Sequence, residues 1–261
     1  MLSPLSKKII VIYHPIQIAR CLLPTAYCLL FFSLSSFAQK PIRFPARDGV
    51  KITADQYIHH KDSSYIILCH MAKSSRGEYN EIAGRMGKLG YNCLAIDLRS
   101  GQEFNYKINE TAMQARQRGL PVEYMDAEAD IVDAIEFVKR ISDKRIILVG
   151  SSYSASLALK IASEDDIIST VVAFSPGEYF GSLISIQKTI AGLDIPIFVT
   201  CKASEITYVQ ELVSGITSKK MITFYPKDGG KHGAASLFKD NPNNQEYWIN
   251  LLNFMQNLKR Q

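Results

Sequence analysis

Residues 145–162 read RIILVGSSYSASLALKIA, and this stretch decides the fold. Arg145 to Val149 carries an Ile-Ile-Leu-Val core that is too short for a helix and apolar on both faces, as a buried parallel strand must be. Gly150-Ser151-Ser152-Tyr153-Ser154 follows, and then Ala155, Leu157, Ala158 and Ile161 recur at helical spacing. A strand, a sharp turn and a helix are thereby joined, with Ser152 at the tip.

The order Gly150-x-Ser152-x-Ser154 has the form of a G-x-S-x-G nucleophile elbow, with serine in place of the second glycine. A serine on a tight strand-to-helix turn is pushed clear of the sheet. The N–H of the next residue, Tyr153, opens a helix and faces the same space. Gly150 stands where a side chain would crowd the turn, and the small Ser154 side chain still allows the helix to lie close to the strand.

The rest of the chain supplies the context. At 47% apolar and 21% charged residues over 261 positions, it has the composition of an ordinary globular protein. Lys7, Lys8 and Arg20 lie in a first segment of 38 residues that holds no acid, so 27 basic residues face 25 acidic ones in the remainder. That balance gives no electrostatic footprint for nucleic acid. Residues 1–38 read as an export signal: the positives precede an uncharged run from Cys21 to Ala38, and Ser36-Phe37-Ala38 puts small residues at the two positions a signal peptidase reads. Cleavage after Ala38 leaves residues 39–261 as one domain in the periplasm or outside the cell. An uncleaved anchor is the alternative, because the run is just long enough to span a bilayer; either way, the membrane is met only through this segment. Cys69, Cys93 and Cys201 sit in apolar runs and without regular spacing, which predicts small buried hydrophobes and no disulfide framework.

Along residues 39–261, Ile42–Phe44 and Val50–Tyr57 alternate around the turn Arg47-Asp48-Gly49 and predict an antiparallel hairpin. A buried strand is expected at Tyr65–Cys69, and further strands at Asn92–Ile96, Ser169–Phe174, Ile195–Thr200 and Met221–Tyr225. Helices are expected at Gly77–Leu89 and Asp126–Arg140, near Leu183–Ile190 and Val209–Gly215, and through Trp248, Leu251, Leu252, Met255 and Leu258 at the C-terminal end. Residues 97–125 read as a long polar connection without periodicity, leaving the same strand edge as Ser152. Within it, Tyr106, Met113, Arg116, Arg118 and Tyr124 are candidate substrate contacts. The alternation of strands and helices predicts a layered α/β domain with a mostly parallel sheet.

In such a sheet, ligands bind beyond the carboxyl ends of the strands. There the sequence puts His70-Met71-Ala72, Asp97-Leu98-Arg99-Ser100-Gly101, Ser152, Glu178, Glu205 and Lys231-His232-Gly233. Taken in order, this set resembles the α/β-hydrolase superfamily over the whole of residues 39–261. The resemblance implies an α/β-hydrolase fold, with a mostly parallel central sheet, helices on both faces and a short or absent lid. It matches Asp97-Leu98-Arg99-Ser100-Gly101 to D-x-R-G and His70-Met71-Ala72 to an H-G-x oxyanion turn in which Met71 replaces the glycine.

A serine hydroxyl needs a base to take its proton as it attacks. His232, in a glycine-rich loop after the last strand, is the one histidine following the elbow and is the expected base. The acid that orients its ring is Glu205, just beyond the strand ending at Thr200, with Glu178 after the preceding strand as the rival. The resemblance further implies oxyanion donors at the N–H groups of Tyr153 and Ala72, structural roles for His70 and Asp97, and no cofactor. The expected activity is hydrolysis of a small carboxylic ester by a Ser-His-Glu triad through an acyl-enzyme. A thioesterase, a peptidase or a catalytically silent binding protein on the same fold are the alternatives.

Overall fold

A computed structural model describes residues 39–259; the expected leader lies outside the described residues. Among these, one eight-stranded sheet runs in the order β1-β2-β4-β3-β5-β6-β7-β8. Its strands are β1 (Gln39–Pro45), β2 (Lys51–Tyr57), β3 (Tyr65–Cys69), β4 (Asn92–Ile96), β5 (Ile146–Ser151), β6 (Ile168–Phe174), β7 (Ile197–Thr200) and β8 (Met221–Phe224). The expected hairpin is present: β1 and β2 pair antiparallel, β2 meets β4 antiparallel, and every pairing from β4 to β8 is parallel. β3, β4 and β5 are buried at every residue, which explains why they are apolar on both faces.

The helices are α1 (Asn80–Lys88), α2 (Glu110–Gln117), α3 (Ala127–Ile141), α4 (Tyr153–Glu164), α5 (Ile186–Thr189), α6 (Ile206–Leu212) and α7 (Asn244–Leu258). One core joins the sheet to α3 and α4 through residues such as Ile131, Ile135, Leu157 and Ile161. The other joins it to α1 and α7 through Ile82, Met86, Trp248, Leu251 and Phe254. Each aliphatic side chain buried in this way contributes about 1.5–3 kcal/mol. Cys69, Cys93 and Cys201 are buried free thiols, as their apolar settings predict.

Four local expectations are corrected. The segment expected to be helical from Gly77 opens with a 3₁₀ turn, Arg76–Tyr79, capped by the Ser75 side chain, and continues as α1. The connection 97–125 contains α2, N-capped by Asn109; its buried stripe is only Thr111, Ala112 and Ala115, too small to register as amphipathic. The expected Leu183–Ile190 helix is shortened to the four residues of α5, because Gly181 turns left-handed and Leu183 points to solvent. α6 begins at Ile206, ahead of the expected Val209.

β5 returns past β4 to pair with β3, so the sheet reverses its winding between β3 and β5, and a crevice opens at such a point beyond the strand ends. Buried polar groups fix the loops around it. Asp97 accepts from the Arg76 and Glu110 backbone N–H groups at 2.9 Å each and from the Arg76 guanidinium at 2.5 Å. Arg99 makes a forked pair with Asp130 of α3 and reaches Asp48 in the hairpin turn at 2.8 Å. His70, fully buried, accepts the Leu98 N–H at Nε2 (2.9 Å). Its Nδ1–H therefore donates to the Met71 carbonyl (2.8 Å).

Two predictions follow from this frame. Asp130→Ala leaves the Arg99 charge buried without its forked partner and should lower stability by about 3–5 kcal/mol, read from denaturant unfolding. Burial lowers the His70 pKa from 6.5 to about 4, against the opposing pull of the Met71 carbonyl. The folded state thus favours the neutral ring, so this contribution is full above pH 6.5 and is lost as pH falls toward 4, at a slope of up to about 1.4 kcal/mol per pH unit. Urea midpoints measured across that window should lose this slope in His70→Asn; an identical slope in the variant contradicts the assignment.

Candidate active site

The elbow is a backbone feature before it is a chemical one. Ser152 lies at φ 61° and ψ −127°, between the end of β5 and the first residue of α4. A non-glycine residue at positive φ is costly, and it persists only where its surroundings enforce it. Here the Ser152 N–H donates to the Phe174 carbonyl on β6 (2.8 Å), and the Ser152 carbonyl accepts from Ala155 N–H (2.9 Å). Gly150 is required by contact: a Cβ there would run into the backbone of Ala155. Ser154, in the position of the pattern's second glycine, is fully buried and useful. Its hydroxyl accepts the Ser151 N–H (2.9 Å) and lies 2.8 Å from the Cys69 carbonyl, linking the elbow to the end of β3.

The structure brings Ser152, His232 and Glu205 into one hydrogen-bonded line. Ser152 Oγ and His232 Nε2 are 2.7 Å apart, as are His232 Nδ1 and Glu205 Oε1. A carboxylate only accepts, so Nδ1 carries the hydrogen and Nε2 is left to accept the serine proton. Burial acts to raise the Glu205 pKa. The hydrogen bonds from His232 and Ser175, with the charges of His232 and Lys202, outweigh it and hold the carboxyl below its ordinary range. Ser152 is 5% exposed and the His232 side chain about a third, so the line meets solvent at the imidazole edge.

Glu178, the rival acid, is used elsewhere. It accepts from the Ser185 hydroxyl and from the N–H groups of Ile186 and Gln187, and so caps α5. The loop bearing His232 is strapped down by two serines that the sequence reading did not single out. Gly233 N–H donates to Ser175 Oγ (3.0 Å), and Ala234 N–H donates to Ser151 Oγ (2.8 Å). Gly233 has φ +66°, and a Cβ there would collide with Ser151 Oγ, which explains the glycine beside the histidine. Ser175 also donates to the second oxygen of Glu205 (2.7 Å), extending the line beyond Glu205. The only sequence signal for Ser175 was its place in Ser175-Pro176-Gly177 at the end of β6. Tyr179 approaches Ser152 as well, while its hydroxyl donates to the Ser175 carbonyl (2.9 Å).

Tyr153 N–H opens α4 and has no acceptor inside the helix by position. Its ring is buried, hydrogen-bonded to Ser100 (2.6 Å) and stacked on Tyr124 at 4.6 Å. Ala72 lies three residues past Cys69, whose register partner is Gly150, so the Ala72 turn and the elbow leave the sheet side by side. Met71 is not at positive φ; the residue of this turn that is, is Lys73 at φ 56°. Of the other candidate contacts, Arg116 holds the Gly101 carbonyl and Arg118 the Asp48 carbonyl, while Tyr106 is fully exposed and Met113 partly so. No group of metal-ligating side chains is assembled among the described residues.

No protein-family model and no curated protein matches the chain. Solved structures do resemble it. An esterase of Pyrococcus furiosus is 20% identical with a TM-score of 0.63, over 85% of this chain and 93% of that one. A dienelactone hydrolase from Anabaena variabilis is 15% identical with a TM-score of 0.61, over 83% and 95% of the two chains. An α/β hydrolase from a Penicillium species is 12% identical with a TM-score of 0.62, over 84% and 98%. At these identities the likeness concerns the backbone, and together with the sheet order and the elbow it gives this chain the α/β-hydrolase fold.

Proposed function

We propose that this protein is an exported serine hydrolase that cleaves carboxylic esters of small molecules through a Ser152-His232-Glu205 triad. The observation that carries the reading is the unbroken line of two 2.7 Å hydrogen bonds from Ser152 through His232 to Glu205. The esterase and hydrolases that share the backbone support the reaction class. Export rests on the leader features of residues 1–38, and residues 39–261 form the working domain.

In this mechanism Ser152 Oγ attacks the acyl carbonyl as its proton passes to His232 Nε2. The imidazolium that forms is held by Glu205, which keeps Nδ1 protonated and the ring in plane with the serine. Negative charge gathers on the former carbonyl oxygen, where the N–H groups of Tyr153 and Ala72 receive it. Collapse of the tetrahedral intermediate breaks the bond to the alcohol oxygen, which takes the proton from His232. Water then repeats the sequence on the acyl-enzyme and releases the carboxylic acid. No cofactor enters these steps.

Hydrolysis of a short-chain p-nitrophenyl ester tests the reading. Ser152→Ala should lower kcat by about 10⁶-fold, and His232→Ala by a similar factor, because the two act as a unit. Glu205→Gln, which keeps the shape but loses the charge, should cost about 10⁴-fold. Unchanged turnover in Ser152→Ala sinks the assignment.

A further inference from the structure

Glu78 is the buried group near the triad that the proposed chemistry leaves unused. It is 1% exposed, on the 3₁₀ turn Arg76–Tyr79, and Oε2 accepts the Met71 N–H at 2.8 Å. Its other oxygen, Oε1, is buried and makes no hydrogen bond among the described residues. Ser74 and Ser151 are its polar neighbours, and Ser151 is the residue before the nucleophile. Burying a carboxyl costs stability unless its partners are well placed, so its position calls for a role.

That role can be read from two consecutive peptide planes. The Met71 carbonyl and the Ala72 N–H belong to one planar trans unit and point in opposite directions. His70 Nδ1–H holds that carbonyl at 2.8 Å, so the Ala72 N–H is turned the other way. The preceding plane, which carries the Met71 N–H, is held by Glu78 Oε2. With both planes fixed, the Ala72 N–H has little freedom to rotate. A glycine at Met71 would leave the turn to settle by its own flexibility. Here a methionine occupies the position, and side chains on both sides hold the backbone.

The turn that carries Glu78 is rigid. Gly77 N–H donates to Ser75 Oγ (3.1 Å), a Cβ at Gly77 would strike the Phe104 carbonyl, and Arg76 is anchored to Asp97 through backbone and guanidinium. Burial also pushes the Glu78 carboxyl above the usual carboxylate range, against the hydrogen bonds of Ser151, the Met71 N–H and Ser74.

We propose that Glu78 is a positioning residue that aims the Ala72 N–H into the oxyanion hole by fixing the Met71 peptide. This rests on the serine-hydrolase reading above. The test compares the protein with Glu78→Met, which fills the space without an acceptor, and Glu78→Gln, which restores an acceptor oxygen. Each is assayed on a p-nitrophenyl ester and on the matching O-p-nitrophenyl thionoester, whose sulfur accepts hydrogen bonds poorly. Misaiming one donor should lower kcat in Glu78→Met by about 10- to 100-fold, with KM within about twofold. The preference for the oxygen ester over the thionoester should shrink in parallel, and Glu78→Gln should recover most of both losses. A Glu78→Met enzyme with undiminished kcat overturns the proposal. So does a fall in kcat with the oxygen preference intact, which marks a merely structural residue; folding is checked by circular dichroism, and Glu78→Gln carries the comparison if Glu78→Met does not fold, a loss of the oxygen preference there again overturning it. Absence of Ser152-dependent turnover in the unmutated protein overturns the functional reading itself, and this inference with it.

Discussion

The structure depends on one strained residue held in place. Ser152 at φ 61° and ψ −127° occupies a conformation that costs an L-residue on the order of 1–3 kcal/mol. The cost is met by the packing of α4 on β5, in which every residue from Tyr153 to Ala162 is buried, and by the hydrogen bond that ties the Ser152 N–H to β6. Gly150 allows that approach and Ser154 secures it to β3. Relaxing the strain would withdraw the hydroxyl from His232. The conformation that is unfavourable locally is the one that brings Ser152 Oγ to His232 Nε2.

Around this point, the site is assembled by short polar links between strand ends. Ser151 and Ser175, at the ends of β5 and β6, receive the Ala234 and Gly233 N–H groups respectively and so fix the height of His232 over the sheet. Ser175 also reaches Glu205 beyond β7, so one hydroxyl ties Glu205 to the loop that carries His232. On the other side, His70 bonds Leu98 after β4 and the Met71 carbonyl after β3. These contacts are buried, where a hydrogen bond is electrostatically stronger and a lost partner is expensive. The positions of Ser152, His232 and Glu205 are therefore set by links to the strand ends.

Much of this was legible in the sequence, for a physical reason. Strands buried on both faces must be apolar throughout, so Tyr65–Cys69, Asn92–Ile96 and the strand before Ser152 stood out, and their order implied which residues reach the ligand-binding edge. α2 was invisible because it buries only small side chains. The sequence favours Glu205, just beyond the strand ending at Thr200, with Glu178 as the rival; in the structure Glu205 turns to His232 and Glu178 caps α5. Glu78 looked like an ordinary polar residue at a helix start. Its burial is a tertiary fact, seen in its contacts with Met71 after β3 and Ser151 at the end of β5. Ser175 was hidden in the same way behind the ordinary turn signal Ser-Pro-Gly.

The central claim is that Ser152 is an activated nucleophile, and labelling with a fluorophosphonate followed by peptide mass mapping tests it most directly. The account predicts a single adduct on Ser152 that forms in the unmutated protein and is abolished in His232→Ala. Folded protein that takes up no label, or takes it up at another residue, contradicts the account.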